Sequence, residues 1–277
     1  MFQFLITIFI FLTGLIVGSF LNCVIYRLEQ DESFLKGRSY CPHCKHVLSW
    51  KDLIPIVSFF TLRGKCRYCQ KKISRQYPLV ELATGILFIL VFNFQLQATN
   101  YLVLVNFLDF FGFLILLLVS CLLLLIFVFD LKHYLIPDQL SYAAIISAAI
   151  YQLVRIANFG FRIENLKMLL PFFYSALGAA AFFLFLVLVS KGKWMGEGDI
   201  KLAFFMGLFL GWPAILAALF LAFFGGAIIG LGLIVWKKKS LKSEIPFGPF
   251  LIAGTFISLF WGEQIIGFYL NLLMLKY

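Results

Sequence analysis

The stretch LVNFLDFFGFLILLLVSCLLLLIFVFD, residues 104–130, decides the fold class. Residues 104–128 form an apolar run longer than the roughly 20 residues a helix needs to cross a bilayer core, and Asp130 stands at its end. Working outward, comparable apolar stretches lie at 1–26, 79–97, 139–157, 168–190, 200–211, 214–236 and 247–273. The reading is an all-α polytopic membrane protein with about eight transmembrane helices. A chain that is 62% hydrophobic and 13% charged is outside the balance of soluble domains. Residues 1–26 carry no charge and no basic leader, so a retained span is expected rather than a removed signal peptide. The 200–211 stretch is the shortest: its 12 residues cover only about 18 Å as a helix. It reads as a half-span or as a segment merging with its neighbour across Gly211, Trp212 and Pro213.

Charge placement orients the layout. With the amino terminus outside, segments 27–78, 129–138, 191–201 and 237–246 face the cytosol and hold 19 of the 23 Lys and Arg residues. That bias follows the positive-inside rule. The net charge of +10 is spread over several membrane-edge loops. It therefore points to orientation and contact with anionic membrane lipid, not to nucleic acid. Four parts are expected: a first helix at 1–26, a polar loop at 27–78, helices 2 and 3 at 79–128, and a membrane domain at 129–277. No internal repeat is evident.

The loop carries Cys41-Pro-His-Cys44 and Cys66-Arg-Tyr-Cys69. Four thiolates in two C-x-x-C knuckles can close a tetrahedral zinc site with no position left for water, hence a structural one. Two disulfides are the alternative, which a reducing cytosol disfavours. His43 and His46 read as bystanders, and Cys23 and Cys121 as small hydrophobes inside spans.

A carboxylate at or inside an apolar segment is costly and marks a candidate site. Asp130 falls at a helix carboxy terminus, where the macrodipole opposes its charge; Asp199 ends Gly196-Glu197-Gly198-Asp199 and opens a helix, where the dipole favours it. The expected pair is an aspartyl dyad with Asp199 as base and Asp130 as acid. Gly196 and Gly198 are read as allowing a substrate backbone to come close. Asp138 reads as a cap of the next helix, Glu81 as a residue welcomed by a helix amino terminus, and Asp109 as too near the outer face to take part.

Together these elements resemble the type 4 prepilin peptidases, members of the GxGD membrane aspartyl proteases. Gly18-Ser-Phe-Leu-Asn-Cys-Val-Ile-Tyr-Arg27 is similar to the family's amino-terminal motif, and the cysteine knuckles and Gln76-Tyr-Pro-Leu-Val-Glu-Leu82 follow it. Asp130 to Asp138 is similar to the D-x-x-x-x-x-I-P-D element, and Gly196 to Asp199 to G-x-G-D. The resemblance implies a multi-pass protein of the bacterial inner membrane whose active site, Asp130 and Asp199, faces the cytosol. It also implies substrates that are prepilins or pseudopilins of pilus or secretion systems, cut after a short basic leader. Family members often methylate the new amino terminus with S-adenosylmethionine; peptidase activity alone is the alternative. Asn22, Arg27 and Glu81 are the candidate methyl-donor contacts carried over by resemblance. A proton-coupled transporter would place acids near the bilayer midplane, and a zinc-bearing scaffold would leave the G-x-G-D element unused.

Overall fold

A computed structural model describes residues 2–33, 37–98, 106–159, 167–235 and 245–274. The basic segment 237–246 therefore lies largely outside the described residues. The chain divides into two compact units, Met1–Tyr101 and Leu102–Tyr277. Among the described residues, seven helices are long and apolar enough to cross a membrane.

In the first unit, α1 (Phe2–Glu29) packs against α3 (Gln76–Ala98). The loop between them holds a single 3-10 turn (Trp50–Asp52) and a short helix, α2 (Val57–Thr61). Small residues bring the two long backbones together. A side-chain carbon at Gly14 would lie 2.7 Å from the Gly85 Cα, and one at Gly18 2.7 Å from the Glu81 Cα.

The second unit contains α4 (Phe107–His133), α5 (Asp138–Phe159), α6 (Leu170–Ser190), α7 (Glu197–Leu210), α8 (Ala214–Val235) and α9 (Gly248–Met274). α7 is the stretch expected to be short, and its 14 residues span about 21 Å. It nevertheless runs from one end of the unit to the other. It starts beside the α4–α5 turn, where Gly198 meets Ile136, and it ends where Gly211 meets Phe172 in the first turn of α6. A helix this short suffices because its neighbours are protein: α5, α6, α8 and α9 all pack on it, and Leu202, Ala203, Phe205 and Met206 are almost fully buried. Its last carbonyls, those of Leu208 and Phe209, accept hydrogen bonds from the buried Gln152 amide of α5 at 2.9 and 3.0 Å. The outcome is seven membrane-length helices plus one short helix enclosed by them.

Gly207 and Gly178 separate protein-facing from outward-facing positions. A side chain at Gly207 would overlap the main chain of Ser175 and Ala176, whereas nothing lies within 4 Å of the corresponding site at Gly178. Gly207→Leu is expected to destabilise the detergent-solubilised protein by at least the roughly 1–3 kcal/mol typical of overpacking. Gly178→Leu is expected to leave its thermal unfolding unchanged.

Candidate active site and cysteine knuckles

Asp130 sits in the last turn of α4 and is buried at 5% exposure. The helix stops at Tyr134, whose left-handed backbone (φ 56°) returns its N–H to the Asp130 carbonyl at 3.0 Å. The Asp130 carboxylate accepts a hydrogen bond at 2.9 Å from the N–H of Gly248, the first residue of α9 and 118 positions away. Asp199, 7% exposed, is the third residue of α7. Its carboxylate reaches back to accept the Gly196 N–H at 3.1 Å.

Ile136 ties the two aspartates together. A side-chain carbon at Gly198 would lie 2.8 Å from the Ile136 Cβ; one at Gly248 would lie 2.5 Å from Asp130 Oδ2 and 3.3 Å from Ile136 Cδ1. Ile136 is thus wedged between the residue preceding Asp199 and the residue that binds Asp130. The amino termini of α5 and α7 are also pinned by an ion pair, Lys201 Nζ to Asp138 Oδ1 at 2.5 Å.

Gly196 caps α7 and Asp199 lies three residues inside; the four-residue G-x-G-D spacing lets its side chain fold back onto the cap N–H. Asp138 is the first residue of α5 and is engaged by Lys201. Ile136 fills the side-chain face of Gly198, whereas at Gly196 the nearest atom to such a carbon is 4.0 Å away. Asp130 does end its own helix, but the amino terminus of α9 gives it the same kind of first-turn N–H that α7 gives Asp199. Sequence reasoning missed Gly248 and Ile136. The available signal was a glycine between Phe247 and Pro249 at the start of an apolar stretch.

In the first unit the Sγ atoms of Cys41, Cys44, Cys66 and Cys69 all lie within 4.8 Å of one another, with Cys41 to Cys69 at 3.9 Å. The two knuckles are built alike at an offset of 25 residues. Cys41 N–H binds the His46 carbonyl and Lys45 N–H the Cys41 carbonyl; Cys66 N–H binds Lys71 and Gln70 N–H binds Cys66, all at 2.9–3.0 Å. Lys45 and Gln70 share a left-handed backbone, φ 58° and 57°. The duplication is one of backbone geometry, and apart from the cysteines the two side-chain sequences differ. Burial pushes the Cys41 thiol up, but the N–H groups of Cys44 and His43 pull it down to about 7. His46 packs on Tyr68 at 3.6 Å between ring centres, and His43 is outside the four-thiol cluster. Asp52 joins the first knuckle's flank to the second through Arg67 at 2.7 Å and Tyr68 at 3.2 Å. Burial opposes its charge, but Arg67, Ser49 and Tyr68 outweigh that and hold its carboxyl at about 2.

Asn22, Arg27 and Glu81 are all buried, at 2%, 4% and 6% exposure. Asn22 donates to the Tyr77 carbonyl at 3.0 Å, and Arg27 to the carbonyls of Ser33 and Arg38 at 3.2 and 3.1 Å. Glu81 accepts the Ile56 N–H at 2.7 Å. Asn22 ties α1 to the first turn of α3, while Arg27 and Glu81 bind the loop back onto α1 and α3.

Comparison with known proteins adds a family to this geometry. The family described as Bacterial Peptidase A24 N-terminal domain matches residues 12–94, and the Type IV leader peptidase family matches residues 116–231. A prepilin leader peptidase/N-methyltransferase of Aeromonas salmonicida is 32% identical over 96% of this chain and 94% of its own. The chain belongs to the type IV leader peptidase family. Proteins of the same name from Bacillus subtilis, 30% identical over 95% of this chain and 97% of theirs, and from Pseudomonas aeruginosa, 31% over 94% and 92%, are further relatives. No solved structure matches the chain.

The depressed Asp52 carboxyl sets a pH window. Its contribution is complete above the ordinary carboxylate value of about 4 and is lost as pH falls through about 2. Opening of residues 64–73, read by hydrogen exchange, is therefore expected not to change on account of Asp52 between pH 7 and 4.5, and to increase only as pH falls towards about 2. Asp52→Asn is expected to speed exchange there already at neutral pH.

Proposed function

We propose that the chain is a prepilin leader peptidase and N-methyltransferase of the bacterial inner membrane, with Asp130 and Asp199 as its catalytic pair. The observation that carries the reading is the convergence of two buried carboxylates on one wedge, Ile136, at one end of the second unit. One carboxylate takes a proton from water, whose oxygen attacks the scissile carbonyl carbon. The other, protonated, donates to the oxygen that gathers charge, and the peptide C–N bond then breaks as the leaving amine takes up a proton. In this mechanism the two carboxyls share a proton, so their affinities belong to the pair. Gly196, open on its side-chain face, is where a substrate backbone approaches.

The substrate is a prepilin or pseudopilin whose basic leader lies on the cytosolic side and whose apolar helix enters the membrane. The distribution of Lys and Arg supports an amino terminus outside and a site facing the cytosol. Residues 129–277 act as the peptidase part, and residues 27–78 with their neighbouring helices as the methyl-transfer part. The four thiols fit zinc: tetrahedral Zn–S bonds of about 2.3 Å place sulfurs nearly as far apart as the 3.9 Å between Cys41 and Cys69. Zinc there would hold the two knuckles together. A bound S-adenosylmethionine supplies the methyl group for the new amine. Asn22, Arg27 and Glu81 are the residues proposed to contact that donor, and each also holds a backbone group of the chain, at Tyr77, Ser33 and Ile56.

Three measurements test this reading. With a prepilin co-expressed, Asp130→Asn and Asp199→Asn are each expected to cut leader removal by at least roughly 100-fold, the scale of lost acid–base catalysis, with protein levels in the membrane maintained. Substantial cleavage by either variant refutes the dyad. Gly248→Ala, which pushes a methyl group against the Asp130 carboxylate, is expected to lower cleavage comparably while the protein stays folded. Metal analysis of the purified protein should find one zinc, lost when Cys41, Cys44, Cys66 and Cys69 are all replaced by Ser.

A further inference from the structure

The loop of the first unit holds a second feature that peptide cleavage does not use. Ile56 has a left-handed backbone, φ 61°, unusual for a β-branched residue, and its N–H is held at 2.7 Å by Glu81. Glu81 lies five residues inside the apolar span Gln76–Gln97, about 7 Å along the helix axis from where that span begins. The loop therefore dips back to a depth inside the span instead of rising away from it. The residues around Ile56 suit that depth. Leu53, Ile54, Val57 and Phe60 are all exposed, Val57 at 54% and Phe60 at 70%. An apolar cluster of this kind marks a contact surface.

Beside it opens a cleft of about 320 Å³, bounded by Phe59 and Phe60 and by four cations, Arg63, Lys65, Lys72 and Arg75. No carboxylate lines it, and among the described residues none of the four cations makes an ion pair. Arg75 immediately precedes α3, so the cleft lies where the span meets the headgroup layer. Exposed apolar side chains beside unneutralised cations are the arrangement of an interfacial segment on an anionic membrane. A methyl donor bearing a sulfonium and an ammonium against one carboxylate has the wrong charge for four cations.

We propose that residues 53–60 lie in the membrane interface and that this cleft binds the phosphate headgroup of an anionic phospholipid, with Phe60 beside its acyl chains. The inference rests on the membrane placement of α3 and is independent of the peptidase reading. Native mass spectrometry of the full chain, released from vesicles of mixed phosphatidylglycerol and phosphatidylcholine, tests it. Phosphatidylglycerol is expected to be retained at least tenfold over phosphatidylcholine. The variant Arg63→Gln/Lys72→Gln/Arg75→Gln should lose that preference, and Phe60→Asp should weaken retention with all four cations present. Replacing Arg63 and Arg75 by Lys, with Lys72 kept, should keep it, which separates loss of charge from loss of fold. Equal retention of the two lipids, or retention unchanged in the triple Gln variant, overturns the proposal. So does displacement of phosphatidylglycerol by millimolar inorganic phosphate, which would make the cleft a site for a free anion.

Discussion

The hydrogen bond from the Gly248 N–H to the Asp130 carboxylate is the interaction on which the second unit depends. A carboxylate buried at the carboxy terminus of a helix is opposed by that helix's own dipole and has given up water. Its compensation must come from another element. In a helical membrane protein the uncommitted donors are the first-turn N–H groups of helices. The amino terminus of α9 supplies one, and the supply has structural consequences. It brings α9 to the end of the unit where α4 stops and α5 starts. It also requires glycine at position 248, where any side chain would meet the carboxylate it serves. The space left beside that glycine is filled by Ile136, which then sets the position of Gly198 and hence of Asp199.

Much of this fold was legible because crossing a bilayer imposes a length and a composition that a sequence cannot hide. The seven long helices were all located by apolar run length. The eighth was marked as short, but whether it traverses the unit depends on neighbours that hydropathy does not see. α7 can be short because Gln152 satisfies its last carbonyls and protein surrounds its sides. The repeated knuckle geometry was invisible for a different reason. It is written in backbone hydrogen bonds and in two left-handed residues, Lys45 and Gln70, whose side chains have nothing in common.

The candidate site was legible where cost is local. Asp130 and Asp199 stood out because carboxylates at the edges of apolar runs need a reason to be there. Gly248 and Ile136 did not, since their importance arises from contacts across as many as 118 positions. The neighbour of Gly198 was hidden for the same reason: the sequence does not show that Ile136 fills its side-chain face. Asn22, Arg27 and Glu81 show the converse. They are polar groups in apolar helices, and in this structure Arg27 and Glu81 hold the loop's backbone while Asn22 holds the Tyr77 carbonyl of α3.

Each aspartate carboxylate accepts one first-turn N–H, Asp199 from its own helix and Asp130 from α9, at 3.1 and 2.9 Å. Each N–H favours the ionised form of the carboxyl it binds, and at Asp130 it acts against the dipole of α4. In the proposed dyad the two carboxyls share a single proton. In such a pair the roles of acid and base are fixed by the entering water and peptide, whichever carboxylate each meets. On the proposed mechanism the asymmetry hydrolysis needs is brought by the substrate, and Gly196, whose side-chain face is open, is its proposed point of approach.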